Sequence, residues 1–157
     1  MRSSRSVFLT ALTVLLACGG DSPVATEEFS PHSFVPVYTE TQLVDGVTAA
    51  APDPYTIESA SVKNDTLRVA VRYGGGCRMH EFRLLLFKSF RESYPVQSDA
   101  LLSHEANGDG CKSLLERELR FDLTPLRNHY RQTYLTRNGV IRLRLMAPGH
   151  GTVEYRF

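Results

Sequence analysis

The chain of 157 residues has little net charge, only three cysteines and no apolar run long enough to cross a bilayer. Its 18 basic and 17 acidic residues leave a formal charge of +1. So small an excess gathers no phosphate backbones, which excludes nucleic acid as a partner. The longest apolar stretch, Val7 to Ala17, is broken by Thr10 and Thr13 and falls well short of the ~20 residues of a membrane helix. Hydrolase signatures are missing as well. There is no G-x-S-x-G, and His80-Glu81 and His104-Glu105 each begin a zinc-protease pattern that Leu84 and Gly108 break where a second histidine belongs. The triplet Gly74-Gly75-Gly76 lacks the lysine and the following helix of a phosphate-binding loop. No internal repeat is visible.

What is present begins with an address. Arg2 and Arg5 precede the short apolar run, the arrangement of an export signal. Leu15-Leu16-Ala17-Cys18 resembles the lipobox of bacterial lipoproteins, in which the cysteine is lipidated and the chain is cut just before it. That resemblance implies a signal peptide over residues 1–17 and fatty acylation, palmitate included, at Cys18. It implies a protein held to a membrane of the bacterial cell envelope, and anchoring through several acyl chains is effectively permanent. Gly19 follows the cysteine where an Asp would favour the inner membrane, so the resemblance points to the outer membrane, facing the periplasm or the cell surface. Removing the signal takes Arg2 and Arg5 and no acid, leaving 16 basic and 17 acidic residues.

Residues 18–54 read as a flexible tether. The segment carries Pro23, Pro31, Pro36, Pro52 and Pro54 with many small residues, and its acids Asp21, Glu27, Glu28, Glu40, Asp45 and Asp53 precede the first mature basic residue, Lys63. Such a composition buries too little apolar surface to offset its ordering entropy. Phe34, Val35, Val37 and Tyr38 can add a short strand. Residues 55–157 are enough for one domain with one core.

Alternation dominates that domain. In Thr66 to Tyr73 the apolar residues Leu67, Val69, Val71 and Tyr73 occupy every second position, as a half-buried strand requires. Tyr55 to Val62 reads as its hairpin partner across an Asn64-Asp65 turn. Further strands are expected at Glu81 to Phe87, Leu115 to Leu123, Val140 to Leu145 and Thr152 to Phe157. One helix is expected after Thr124, which can cap it, with Pro125 in the first turn and Leu126, Tyr130 and Tyr134 at four-residue spacing. The expected fold is mainly β, a single antiparallel β-sandwich of immunoglobulin-like type with one short helix. A small closed barrel is the alternative.

The densest chemistry lies in Gly74-Gly75-Gly76-Cys77-Arg78-Met79-His80-Glu81 and Ser103-His104-Glu105-Ala106-Asn107-Gly108-Asp109-Gly110-Cys111. With Cys18 committed to lipid, an oxidising envelope favours joining Cys77 to Cys111. The competing reading is a tetrahedral zinc site of Cys77, His80, His104 and Cys111, which needs free thiolates. A third keeps the disulfide and lets His80 and His104, with Glu81 or Glu105, hold zinc or copper. A fourth makes both histidines strand-end residues hydrogen-bonded beside the bridge. Glu105, Asn107, Asp109, Gly110 and Glu116 nearly reproduce a calcium loop, but Lys112 stands where such loops carry an apolar residue. No catalytic residue is assigned.

The glycine-rich turn, the C-x-x-H and Phe121-Asp122-Leu123-Thr124-Pro125-Leu126 resemble a set of bacterial lipoproteins with a GGGCxxH motif, and residues after Tyr55 are similar to the C-terminal β-sandwich of NigD-like lipoproteins. The resemblance implies a fold and a location but no activity. Alternation also turns Arg68, Arg72, Arg142, Arg144 and Arg156 outward. On neighbouring strands these make a guanidinium face for phosphates or carboxylates; alternatively they pair with Glu116, Glu118 and Glu154 on a solvated surface. The reading that results is a non-catalytic, membrane-anchored envelope lipoprotein, structural or ligand-binding, whose partner is an envelope protein or an anionic glycan. Its alternative is a zinc- or copper-binding protein using His80 and His104.

Overall fold

A computed structural model describes residues 37–46, 51–147 and 150–157. The expected signal peptide, Cys18 and most of the expected tether lie outside the described residues. The strands are β1 (Val37–Tyr38), β2 (Glu40–Val44), β3 (Tyr55–Lys63), β4 (Thr66–Gly75), β5 (Glu81–Arg91), β6 (Val96–Glu105), β7 (Ser113–Asp122), β8 (Val140–Leu145) and β9 (Thr152–Arg156), with helix α1 (Thr124–Tyr134) between β7 and β8. They form a four-stranded sheet in the order β1-β7-β4-β3 and a five-stranded sheet in the order β2-β5-β6-β8-β9. The architecture is the expected β-sandwich with one helix, and it is not a barrel. Its pairing is mixed, however. β1 with β7, β2 with β5 and β6 with β8 run parallel, while the other pairs are antiparallel.

Alternation builds the core. Leu67, Val69, Val71 and Tyr73 of β4 and Leu119 and Phe121 of β7 face Phe82, Leu84, Leu86, Ala100, Leu102, Ile141, Leu143 and Tyr155 of the other sheet, all buried. Each fully buried Leu or Phe stabilises the fold by about 1.5–3 kcal/mol relative to exposure. The β3–β4 hairpin turns at Asn64-Asp65 as expected, with Asn64 in the left-handed region at φ 55°, a conformation that asparagine tolerates better than most residues. A bulge between Ile57 and Ser59 keeps Ile57 and Ala60 on the core side.

Strand structure begins inside the segment expected to be tether. β1 and β2 each join a sheet, the chain passing from one sheet to the other at Thr39, whose amide donates to the Arg120 carbonyl. Parallel pairing with β5 places Leu43 against the core, enough apolar surface to hold a segment whose prolines lie outside it. The helix start also differs. Thr124 is the first helical residue, not the cap; Asp122 Oδ1 accepts from the Thr124 amide at 2.9 Å. The helix ends at Tyr134, ahead of Asn138-Gly139, with Leu135 left-handed at φ 51°.

Candidate functional site

At one end of the sandwich the loop from β4 to β5 meets the loop from β6 to β7, and the two are joined through buried polar side chains. His104 ends the inward row of β6, while His80 lies one residue before β5. Both rings are buried, His80 at 7% and His104 at 4% exposure. His80 Nδ1 lies 2.9 Å from His104 Nε2, and His80 Nε2 lies 3.1 Å from Asp109 Oδ2. His104 Nδ1 lies 3.1 Å from the Asp53 carbonyl oxygen. Phe82 stacks on His104 with ring centres 4.3 Å apart, and Tyr73 packs against both imidazoles at 4.8 and 5.3 Å.

Asp109 is the hub. Its Oδ2 accepts from the amides of Gly76, Cys77 and Arg78, and its Oδ1 from the amide of Cys111. The Cys111 amide, with those of Arg78 and Cys77 and the His80 ring, holds this carboxyl well below the usual carboxylate range, against the opposing effect of its own desolvation. The glycine triplet follows from this hub. A Cβ on Gly75 would stand 2.5 Å from His80 Nε2 and 2.9 Å from Asp109 Oδ2, and its φ of +146° suits glycine. Three successive amides aimed at one carboxylate oxygen form an anion-holding nest whose anion is the protein's own side chain.

The hydrogen-bond chain fixes the protons. A carbonyl only accepts, so His104 Nδ1 carries hydrogen and donates to Asp53. Burial pushes the His104 pKa down, so the ring is neutral and its Nε2 accepts from His80 Nδ1–H. His80 Nε2 faces the Asp109 carboxylate, so the His80 ring lies between the His104 imidazole and Asp109.

All four ring nitrogens of His80 and His104 are engaged within the protein, two of them with each other. Glu81 and Glu105, opposite each other in register on β5 and β6, are exposed, and Glu81 pairs with Arg83. Strand alternation turns Glu105 away from its neighbour His104. Cys77 and Cys111 lie with Cα atoms 5.8 Å apart, within the span a disulfide bridges. The calcium-loop residues are likewise dispersed. Asp109 is saturated, Asn107 donates to the Met79 carbonyl, and Glu116 sits in β7 paired with Arg72.

The arginines do not form one face. Arg68 and Arg72 lie on β4 in the four-stranded sheet, whereas Arg142 and Arg144 lie on β8 and Arg156 on β9 in the other. Arg72 pairs with Glu58 and Glu116, Arg144 with Asp99 and Arg156 with Glu154. Arg142 stands opposite Glu154 in register.

No protein-family model matches the sequence, and no curated protein matches it. Solved structures do. A NigD-like immunity protein from Bacteroides caccae superposes with a TM-score of 0.56 at 16% identity, over 76% of this chain and 59% of that one. A candidate lipoprotein from Bacteroides fragilis gives 0.48 at 9% identity over 77% and 69%, and a protein of unknown function from Bacteroides vulgatus 0.47 at 12% over 78% and 56%. The likeness to the NigD-like protein is one of fold, and the chain spans 59% of that protein's length.

Proposed function

We propose that the protein is a non-catalytic lipoprotein of the bacterial cell envelope, anchored through Cys18 and stapled by a Cys77–Cys111 disulfide, whose β-sandwich binds a partner without turnover. The carrying observation is the saturation of its densest polar cluster. Every ring nitrogen of His80 and His104 and both oxygens of Asp109 meet a partner inside the protein. A general base or nucleophile needs a free lone pair facing substrate, and a metal needs several converging on one point. Here the cluster acts as a clasp between two loops, and the proposed disulfide closes the same two loops from outside.

The Leu15-Leu16-Ala17-Cys18 motif and the glycine and proline-rich stretch after it support anchoring, with the outer membrane as the destination. The fold likeness to a NigD-like immunity protein supports a binding role. The partner is an envelope protein or an anionic glycan. Cell fractionation tests the anchor. The wild-type chain is expected in the membrane fraction and Cys18→Ala in the soluble periplasmic fraction; equal membrane retention of both would overturn it.

A further inference from the structure

The geometry points to an oxyanion-binding row on the outer face of the four-stranded sheet, formed by Tyr38, Arg120, Arg68 and Ser61, that takes a linear anionic polysaccharide. This inference rests on the binding role proposed above and names its ligand class and residues. Strand register supplies the row. Tyr38 is the partner of Arg120, Arg120 of Arg68, and Arg68 of Ser61. The flanking residues Leu67, Val69, Leu119 and Phe121 are buried, so all four row residues face solvent across the whole width of the sheet. Three strand spacings separate its ends, roughly 14 Å.

Each side chain in the row donates hydrogen bonds and none carries negative charge. Two guanidiniums stand directly opposite each other, an arrangement that costs stability unless an anion lies between them. The neighbouring rows show the usual remedy. Arg72 sits among Glu58 and Glu116, which neutralise it. Arg68 has no carboxylate partner among the described residues, and its Nε–H is buried without an acceptor. Arg120 gives Nε and Nη2 to Glu118, and the Tyr38 hydroxyl lies within hydrogen-bond reach of the same guanidinium. Its guanidinium also lies over the Tyr38 ring at 5.8 Å, and that tyrosine is 74% exposed. A compact phosphate needs donors that converge on a point. Donors set in a straight line on an open face suit an extended chain with spaced carboxylate or phosphate groups, and the exposed Tyr38 ring offers a sugar an apolar surface.

The test is calorimetric titration of the full chain in non-ionic detergent with polygalacturonate, using uncharged dextran and phosphatidylglycerol vesicles as comparators, at low and at physiological salt. Wild type is expected to bind polygalacturonate and not dextran, more weakly as salt rises. Arg68→Gln and Arg120→Gln should each lose about tenfold or more in affinity, as expected for charge-assisted bonds. Arg142→Gln, on the opposite sheet, should bind as wild type. Glu118→Gln, which releases Arg120, should bind more tightly, a gain that misfolding does not produce. Equal binding by Arg68→Gln and wild type, an equal loss in Arg142→Gln, or binding confined to vesicles overturns the inference. Intact mass is read on the same samples. A lipidated, disulfide-bonded chain that binds no anionic glycan sinks this inference and leaves the anchor and staple standing, whereas a chain that binds without lipid or disulfide does the reverse.

Discussion

Asp109 collects amide hydrogens from both loops that it joins, and the consequences are measurable one side chain at a time. Because its carboxyl is held below the usual range, the stabilisation it gives is fully present above the unfolded carboxylate pKa of about 4 and is lost only as pH falls through the lower folded value. Denaturation curves at a series of acidic pH values should therefore show Asp109→Asn less stable than wild type at neutral pH, the gap closing only in strong acid. The neutral His104 carries the same sign at a different place. Its lowered pKa makes the fold lose stability as pH drops below about 6.5. His104→Gln, whose amide can both donate and accept but does not titrate, should flatten that slope. Nitrogen-15 spectra of the histidine rings at neutral pH should show hydrogen on Nδ1 alone of His104; hydrogen on its Nε2 instead would refute the assigned tautomer. Gly75→Ala forces a Cβ into His80 and Asp109 at a backbone angle that suits glycine, and urea denaturation should show a loss of about 2 kcal/mol or more.

Among the elements, those whose inward residues are all apolar were readable from the chain. β4, β8 and β9 fall where alternation placed them. β6 escaped notice because two of its inward residues, Ser98 and His104, are polar, while Leu101 lies on its other side. Ser98 is buried because its hydroxyl donates to the Phe87 carbonyl at 3.0 Å, a compensation no pattern of apolar residues reveals. The hub escaped for a related reason. Asp109-Gly110 reads as an ordinary turn, and only the fold brings it under Gly76 and His80, 33 and 29 residues away. Asp65 was legible only as a turn residue, yet it also anchors the helix and last strand. Its Oδ1 accepts from the Tyr155 hydroxyl at 2.5 Å, its Oδ2 pairs with Arg127, and its carbonyl accepts from the Leu123 amide. Tyr155→Phe leaves the buried ring in place and removes one bond to a charged acceptor, so chemical denaturation should register a loss of about 1.5–3 kcal/mol.

Across the whole molecule, composition and periodicity made the β-sandwich legible but not which strands are neighbours. Parallel pairs such as β6 with β8 are set by how β7 and α1 cross between the sheets, a long-range matter of packing. That is why five arginines that share an outward phase divide between two sheets, and why one of them, Arg68, meets instead an arginine from β7 that alternation alone did not single out. The two loops at the histidine end are distant in sequence, and the proposed staple spans 34 residues. Closing a loop of that size stabilises a domain by roughly 4 kcal/mol in the chain-entropy model, so the Cys77→Ala/Cys111→Ala pair should unfold at markedly lower denaturant while the Asp109 clasp persists.

Intact mass of the protein purified from cell envelopes, with and without reduction and thiol alkylation and alongside elemental analysis for zinc and copper, tests the lipid-anchored, stapled binding module most directly. The expected result is a chain beginning at a lipid-modified Cys18 that gains two alkyl groups only after reduction and carries no stoichiometric metal. An unlipidated start, or two free thiols before reduction together with one bound zinc, would contradict it.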